Sequence, residues 1–93
     1  MKRVKFKTVG HLAQMAGVKE LDIELEGSTI RDFLIEVFKQ TDESYGKFVF
    51  PRESLNDVVT ILQNGKNIKL LDGLDTPLED GDVVNVMHMN VGG

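Results

Sequence analysis

Residue types that ordinarily carry chemistry are few in this 93-residue chain. It has no cysteine, two histidines (His11 and His88), and a last pair Gly92–Gly93. Without thiols there can be no disulfide, thiolate zinc site, iron–sulfur cluster, cysteine nucleophile or persulfide carried by this chain. The histidines are far apart in sequence and lack a ligand-spaced companion, so no metal site is expected, and neither has a nucleophile to activate. Asp72, Asp75, Glu79, Asp80 and Asp82 lack the spacing of an EF-hand and read as solvated turns, with attraction to a basic partner as the alternative. The terminal carboxylate remains. Gly92 and Gly93 have no Cβ, so a tail over 90–93 can enter a narrow channel in extended form and accept backbone angles barred to other residues. A carboxylate is inert until activated, so another protein must reach it.

The composition bounds what such a tail hangs from. Hydrophobic residues make up 41% and charged residues 28% of the chain, the proportions of one globular domain and not of a disordered segment. A net charge of −4 argues against nucleic acid, which is bound through Lys and Arg on phosphates. The basic run "MKRVKFK" has another use. Arg3, Lys5 and Lys7 share one strand face, as do Asp22, Glu24 and Glu26, and pairing the two segments sets the basic row against the acidic one. Apolar runs are too short for a membrane span of about 20 residues and no signal peptide precedes the first strand, so a cytoplasmic protein is expected.

The periodicities then give the elements. "VKFKT" alternates with Val4, Phe6 and Thr8 on one side, and "LDIEL" with Leu21, Ile23 and Leu25 inward; between them "HLAQMAG" reads as a turn or a single helical turn. In "GSTIRDFLIEVFKQ", Ile30, Phe33, Leu34, Val37 and Phe38 form one helical stripe, with Thr29 and Asp32 as a capping box and Ser28 as the alternative cap. The stretch 41–57 holds Gly46 and Pro51 and reads as a loop with a short strand or helical turn; its Phe48 and Phe50 fold back on the core or bind a partner. "VVTIL", then the turn "NG", then "NIKLL" predict two strands. "VVNVMHM" predicts the last strand, with Val84 and Val86 inward.

Two strands, a helix and three strands, joined by a right-handed crossover, bring the first and last strands together in parallel at the centre of the sheet. The expected fold is α+β, a single β-grasp domain over 1–93 with about five strands, one main helix across one face, and the tail leaving the end of the last strand. On the other face, Leu62 and Met87 point outward near the tail, joined by Ile68 and Met89. Such a patch is either a partner-binding surface or simply core.

The stretch "TILQNGKNIKLLDGLDTPLEDGDVVNV" followed by "GG" resembles the MoaD family, the small subunit of molybdopterin synthase. More broadly it is similar to the ubiquitin-like sulfur carriers, which include ThiS and the archaeal small modifier proteins. "VKFKT", "LAQMAG" and "STIRDFL" extend the resemblance over nearly the whole chain. It implies that the Gly93 carboxylate is adenylated, with ATP and Mg used by a MoeB/ThiF-like activating enzyme, and becomes a thiocarboxylate. A sulfurtransferase would supply sulfur and a MoaE-like large subunit would receive it in molybdenum cofactor biosynthesis. The chain would bind no cofactor and would not be an enzyme on its own. The resemblance leaves open a protein modifier joined through Gly93 to lysines of target proteins, a ThiS-like carrier, and a non-covalent β-grasp module. Where the family commonly has an aromatic and two prolines before the glycines, this chain has Met87 and His88–Met89.

Overall fold

The computed structural model describes residues 1–88. In chain order these form β1 (Lys2–Thr8), α1 (Gly10–Ala16), β2 (Glu20–Leu25), α2 (Ile30–Gln40), α3 (Glu43–Val49), β3 (Val59–Gln63), β4 (Lys66–Asn67) and β5 (Val83–His88), with 3-10 turns at Ile68–Leu70 and Gly73–Asp75. The sheet order is β2-β1-β5-β3-β4. β1 runs parallel to β5, and every other pairing is antiparallel. This is the expected β-grasp arrangement, with the last strand at the centre.

Alternation decides which side of each strand is buried. Val4, Phe6 and Thr8 of β1, Ile23 and Leu25 of β2, Val59 and Ile61 of β3, and Val84 and Val86 of β5 are all buried, and they pack against Ile30, Phe33, Leu34 and Val37 of α2. The capping box forms at the start of α2: Thr29 Oγ1 accepts from the Asp32 amide at 3.2 Å, and the Asp32 carboxylate accepts from the Thr29 amide at 3.2 Å and the Ser28 amide at 3.0 Å. The Ser28 amide, followed by the Thr29 donors, holds the Asp32 carboxyl below the usual carboxylate range.

The outer sheet face carries the predicted charge rows with a shifted partner. Arg3 pairs with Glu24 at 3.5 Å, Lys5 with Asp22 at 3.5 Å, and Lys7 with Glu20 at 3.7 Å, so Glu20 and not Glu26 completes the acidic row. The register Lys5↔Asp22 sets this, because it puts Glu20 opposite Lys7 and carries Glu26 past the end of β1. All six side chains are exposed, so each pair contributes only a few tenths of a kcal/mol.

Two segments differ from expectation. The stretch 41–57 contains a third helix, α3, capped by Asp42, whose side chain accepts from the Ser44 amide at 3.0 Å. Gly46 lowers the helical signal there, yet the packing calls for it: a Cβ at this position would stand 3.2 Å from Phe38 Cγ. α3 brings Tyr45 into the core, edge-on to Phe6 and Phe38 at centroid distances of 5.9 and 6.2 Å. "NIKLL" does not continue as a strand. β4 stops at Asn67, whose side chain accepts from the Lys69 amide at 2.9 Å and starts a 3-10 turn, with Ile68 buried in the core. The predicted "NG" turn is present, with Asn64 and Gly65 at φ of 51° and 86°, the doubly left-handed geometry of a tight hairpin.

The acidic turns are more than solvated. Asp80 accepts from the Arg3 amide at 2.7 Å. Asp82 accepts from the Glu79 amide at 2.8 Å, from Gln63 Nε2 at 2.9 Å and from Asn64 Nδ2 at 2.9 Å, fastening the start of β5 to the β3–β4 turn. Burial opposes the charged form of Asp82, but these three donors and the charge of Lys2 outweigh it and hold the carboxyl below its usual range.

Two measurements check this frame. A folded pKa below the unfolded one gives stabilisation that is complete above about pH 4 and is lost as pH falls through the lowered value. Asp82→Asn should therefore lower the urea midpoint at neutral pH and flatten the loss of stability in acid; an unchanged acid slope would contradict the clamp. Burial, partly offset by the bond to Thr8, pushes the Tyr45 phenol up to about 12. Because the chain has one tyrosine and no tryptophan, tyrosinate absorbance reports this group alone. It should appear only at about that pH or with unfolding, and onset at about pH 10 in the folded protein would refute the buried placement.

Candidate functional site at the end of the central strand

β5 delivers the chain to residues 89–93, and its end is held from both sides. Towards β1, Thr8 Oγ1 donates to the Val86 carbonyl at 2.9 Å and accepts from the Tyr45 hydroxyl at 3.2 Å. Towards β3, the register pairs Val59 with His88 and Thr60 with Met87. The root of the predicted tail is thus part of the most enclosed strand in the sheet.

The expected partner patch divides. Leu62 and Met87 are half-buried on the outer face, two residues apart in register across β3 and β5. Ile68 is only 2% exposed and belongs to the core: the register Leu62↔Asn67 puts Asn67 on the face of Leu62 and Ile68 on the opposite face, that of Ile61. Met89, Gly92 and Gly93 lie outside the described residues. Two residues that sequence reasoning passed over join the patch. Val9 is 57% exposed; its extended backbone (φ −137°, ψ 164°) continues the alternation of β1 onto the face of Lys5 and Lys7, beside Met87. Val58, just before β3, is 46% exposed at the same end. The signal was available: each is a valine one residue outside a strand, on the outward parity.

On the opposite side of β5 the structure joins residues that the sequence keeps apart. His88 meets Phe48 of α3 edge-on at a centroid distance of 5.5 Å, and His11 of α1 at 6.2 Å. Phe48 therefore folds back as one of the two expected alternatives. Among the described residues, no group of three or more His, Cys, Asp or Glu is placed to hold a metal ion, and no helix is long and apolar enough to cross a membrane. A surface groove lined by Gln63, Asn64, Lys66, Leu70 and Pro77 lies beside the β3–β4 turn, at the other end of β3 from the His88 pairing.

A five-strand sheet with the last strand parallel to the first, crossed by one long helix, defines a ubiquitin-like β-grasp protein. The sequence pattern of the ThiS family matches residues 7–93. A protein of Archaeoglobus fulgidus named as a sulfur carrier is 26% identical over 74 residues, 80% of this chain and 84% of that protein. Small archaeal modifier protein 1 from Methanosarcina acetivorans is 31% identical with a TM-score of 0.83, covering 100% of this chain and 98% of that one. A Pyrococcus furiosus protein named as molybdopterin converting factor subunit 1 is 33% identical with a TM-score of 0.76, covering 97% and 100%. This chain belongs to the ThiS family of small ubiquitin-like sulfur carriers and modifiers.

The division of the patch predicts unequal costs. Ile68→Ala empties a core position and should cost about 2–5 kcal/mol in urea unfolding. Val9→Ser, on the surface, should stay within about 0.5 kcal/mol. Comparable losses at both positions would refute the assignment of faces.

Proposed function

We propose that the protein is a carboxyl-terminal sulfur carrier that serves as the small subunit of a molybdopterin synthase. In this reading the Gly93 carboxylate attacks the α-phosphate of ATP, with Mg, in a MoeB/ThiF-like enzyme, giving an acyl-adenylate and pyrophosphate. Sulfide-level sulfur, released from a sulfurtransferase persulfide by a thiol reductant, then displaces AMP, and the resulting thiocarboxylate gives its sulfur to the molybdopterin precursor in a MoaE-like large subunit, water restoring the Gly93 carboxylate. One observation carries the proposal: the family match runs through to Gly93, five positions beyond His88, the last residue of the clamped central strand.

The residues fit each demand. The chain has no thiol on which sulfur could otherwise ride. Gly92 and Gly93 keep bulk away from the carbon under attack. Val9, Leu62 and Met87 offer the activating enzyme and the large subunit an adaptable apolar surface at the root of the tail. Their position accounts for how a partner can grip the domain while the last residues reach its active site.

The likeness to an archaeal modifier, at 31% identity over the whole chain, favours a second reading to the same degree. There the ε-amine of a lysine on a target protein, in place of sulfur, displaces AMP to form an isopeptide bond. Both readings share the adenylate. A ThiS-like carrier would differ only in its final sulfur acceptor.

Intact-protein mass spectrometry of native material separates them. The carrier reading expects one oxygen exchanged for sulfur at Gly93. The modifier reading expects higher-mass conjugates that vanish when Gly92–Gly93 are removed. If neither the exchange nor conjugates are found while a cognate activating enzyme is active, the proposal is overturned.

A further inference from the structure

We propose that His11 and His88 form a two-imidazole binding site for a borderline divalent transition ion such as zinc, nickel or copper(II). His11 sits in the first turn of α1 and His88 is the last residue of β5, 77 positions apart by number, yet their rings lie 6.2 Å apart between centroids with their planes inclined by 30°. An imidazole nitrogen binds such an ion at about 2.0–2.1 Å, which puts each ring centroid about 3 Å from it. Two rings sharing one ion therefore stand about 5–6 Å apart. The observed separation of 6.2 Å is close to that span.

Both residues are exposed, and among the described residues neither ring nitrogen is engaged in a hydrogen bond or ion pair. The rings are nevertheless held near each other. Phe48 packs edge-on against His88 from α3, and the backbone of His88 is fixed by its pairing with Val59 of β3. Imidazole suits zinc, nickel and copper, whereas calcium and magnesium prefer oxygen. The net charge of −4 favours the approach of cations. With two ligands from the protein, the remaining positions on the ion are open to water or to a ligand from outside, so binding is reversible. A bound ion would tie α1 to the end of β5, at the point where the chain passes into residues 89–93.

The test is titration of the full chain with zinc alone, followed by the imidazole resonances in NMR spectra. Both rings should shift together, with one ion bound per chain. His11→Ala and His88→Ala should each weaken binding about tenfold or more, because the second ligand acts at high effective concentration only when the first is bound. Rings that shift at different zinc concentrations, or a single variant that leaves affinity unchanged, would overturn the shared site. His11→Gln, judged folded by an unaltered methyl spectrum, guards against loss of structure: its affinity should match that of His11→Ala, and wild-type affinity in this variant would also overturn the proposal.

Discussion

The parallel pairing of β1 and β5 is the constraint that orders everything else. A parallel pair cannot be closed by a tight turn, so the chain between the two strands must leave the sheet and return. In doing so it lays α2 across one face and adds β3 and β4 on the far side of β5. The pair is locked where it is deepest. Thr8 is the buried polar residue at the join, and its hydroxyl is satisfied on both sides, by the Val86 carbonyl and the Tyr45 hydroxyl. A buried hydroxyl without partners would cost about 1–3 kcal/mol. Tyr45, supplied by α3, therefore both fills the core and completes the seam.

The same seam gives the functional end its character. β5 is fastened at its start by Asp82 and Asn64 and near its end by Thr8, while its neighbours on either side keep it from slipping register. Slippage by one residue would exchange Val84 and Val86 for Val83, Asn85 and Met87 on the core face. A rigid strand therefore runs up to His88. The outer face there carries an apolar surface of Val9, Leu62 and Met87, and the inner side carries the aromatic shelf of His11, Phe48 and His88. One end of the domain thus combines an anchored strand with two surfaces of different chemistry.

Much of this frame was legible in the sequence because it rests on periodicity. The alternation in "VKFKT" and "LDIEL", the stripe and capping box of α2, and the "NG" turn are local patterns, and each forms as read. The unreadable parts depend on contacts between distant segments. Gly46 weakens the helical signal of α3, but a Cβ there would crowd the Phe38 ring at 3.2 Å. Ile68 faces the core and not the side of Leu62 because Leu62 stands opposite Asn67, a register that neither strand shows by itself. The acidic row runs over Glu20, Asp22 and Glu24, not Asp22, Glu24 and Glu26, because a register shift is invisible within one strand. The approach of His11 to His88 follows from topology alone, since parallel pairing sets the start of α1 beside the end of β5.

Whether the strand end serves an activated carboxylate is the central chemical claim, and ATP–pyrophosphate exchange tests it most directly. A MoeB/ThiF-like activating enzyme should catalyse the exchange with the full chain as substrate and not with a chain lacking Gly92–Gly93, while both chains melt alike by circular dichroism. Exchange that persists with the shortened chain, or is absent with the full one, would contradict the claim.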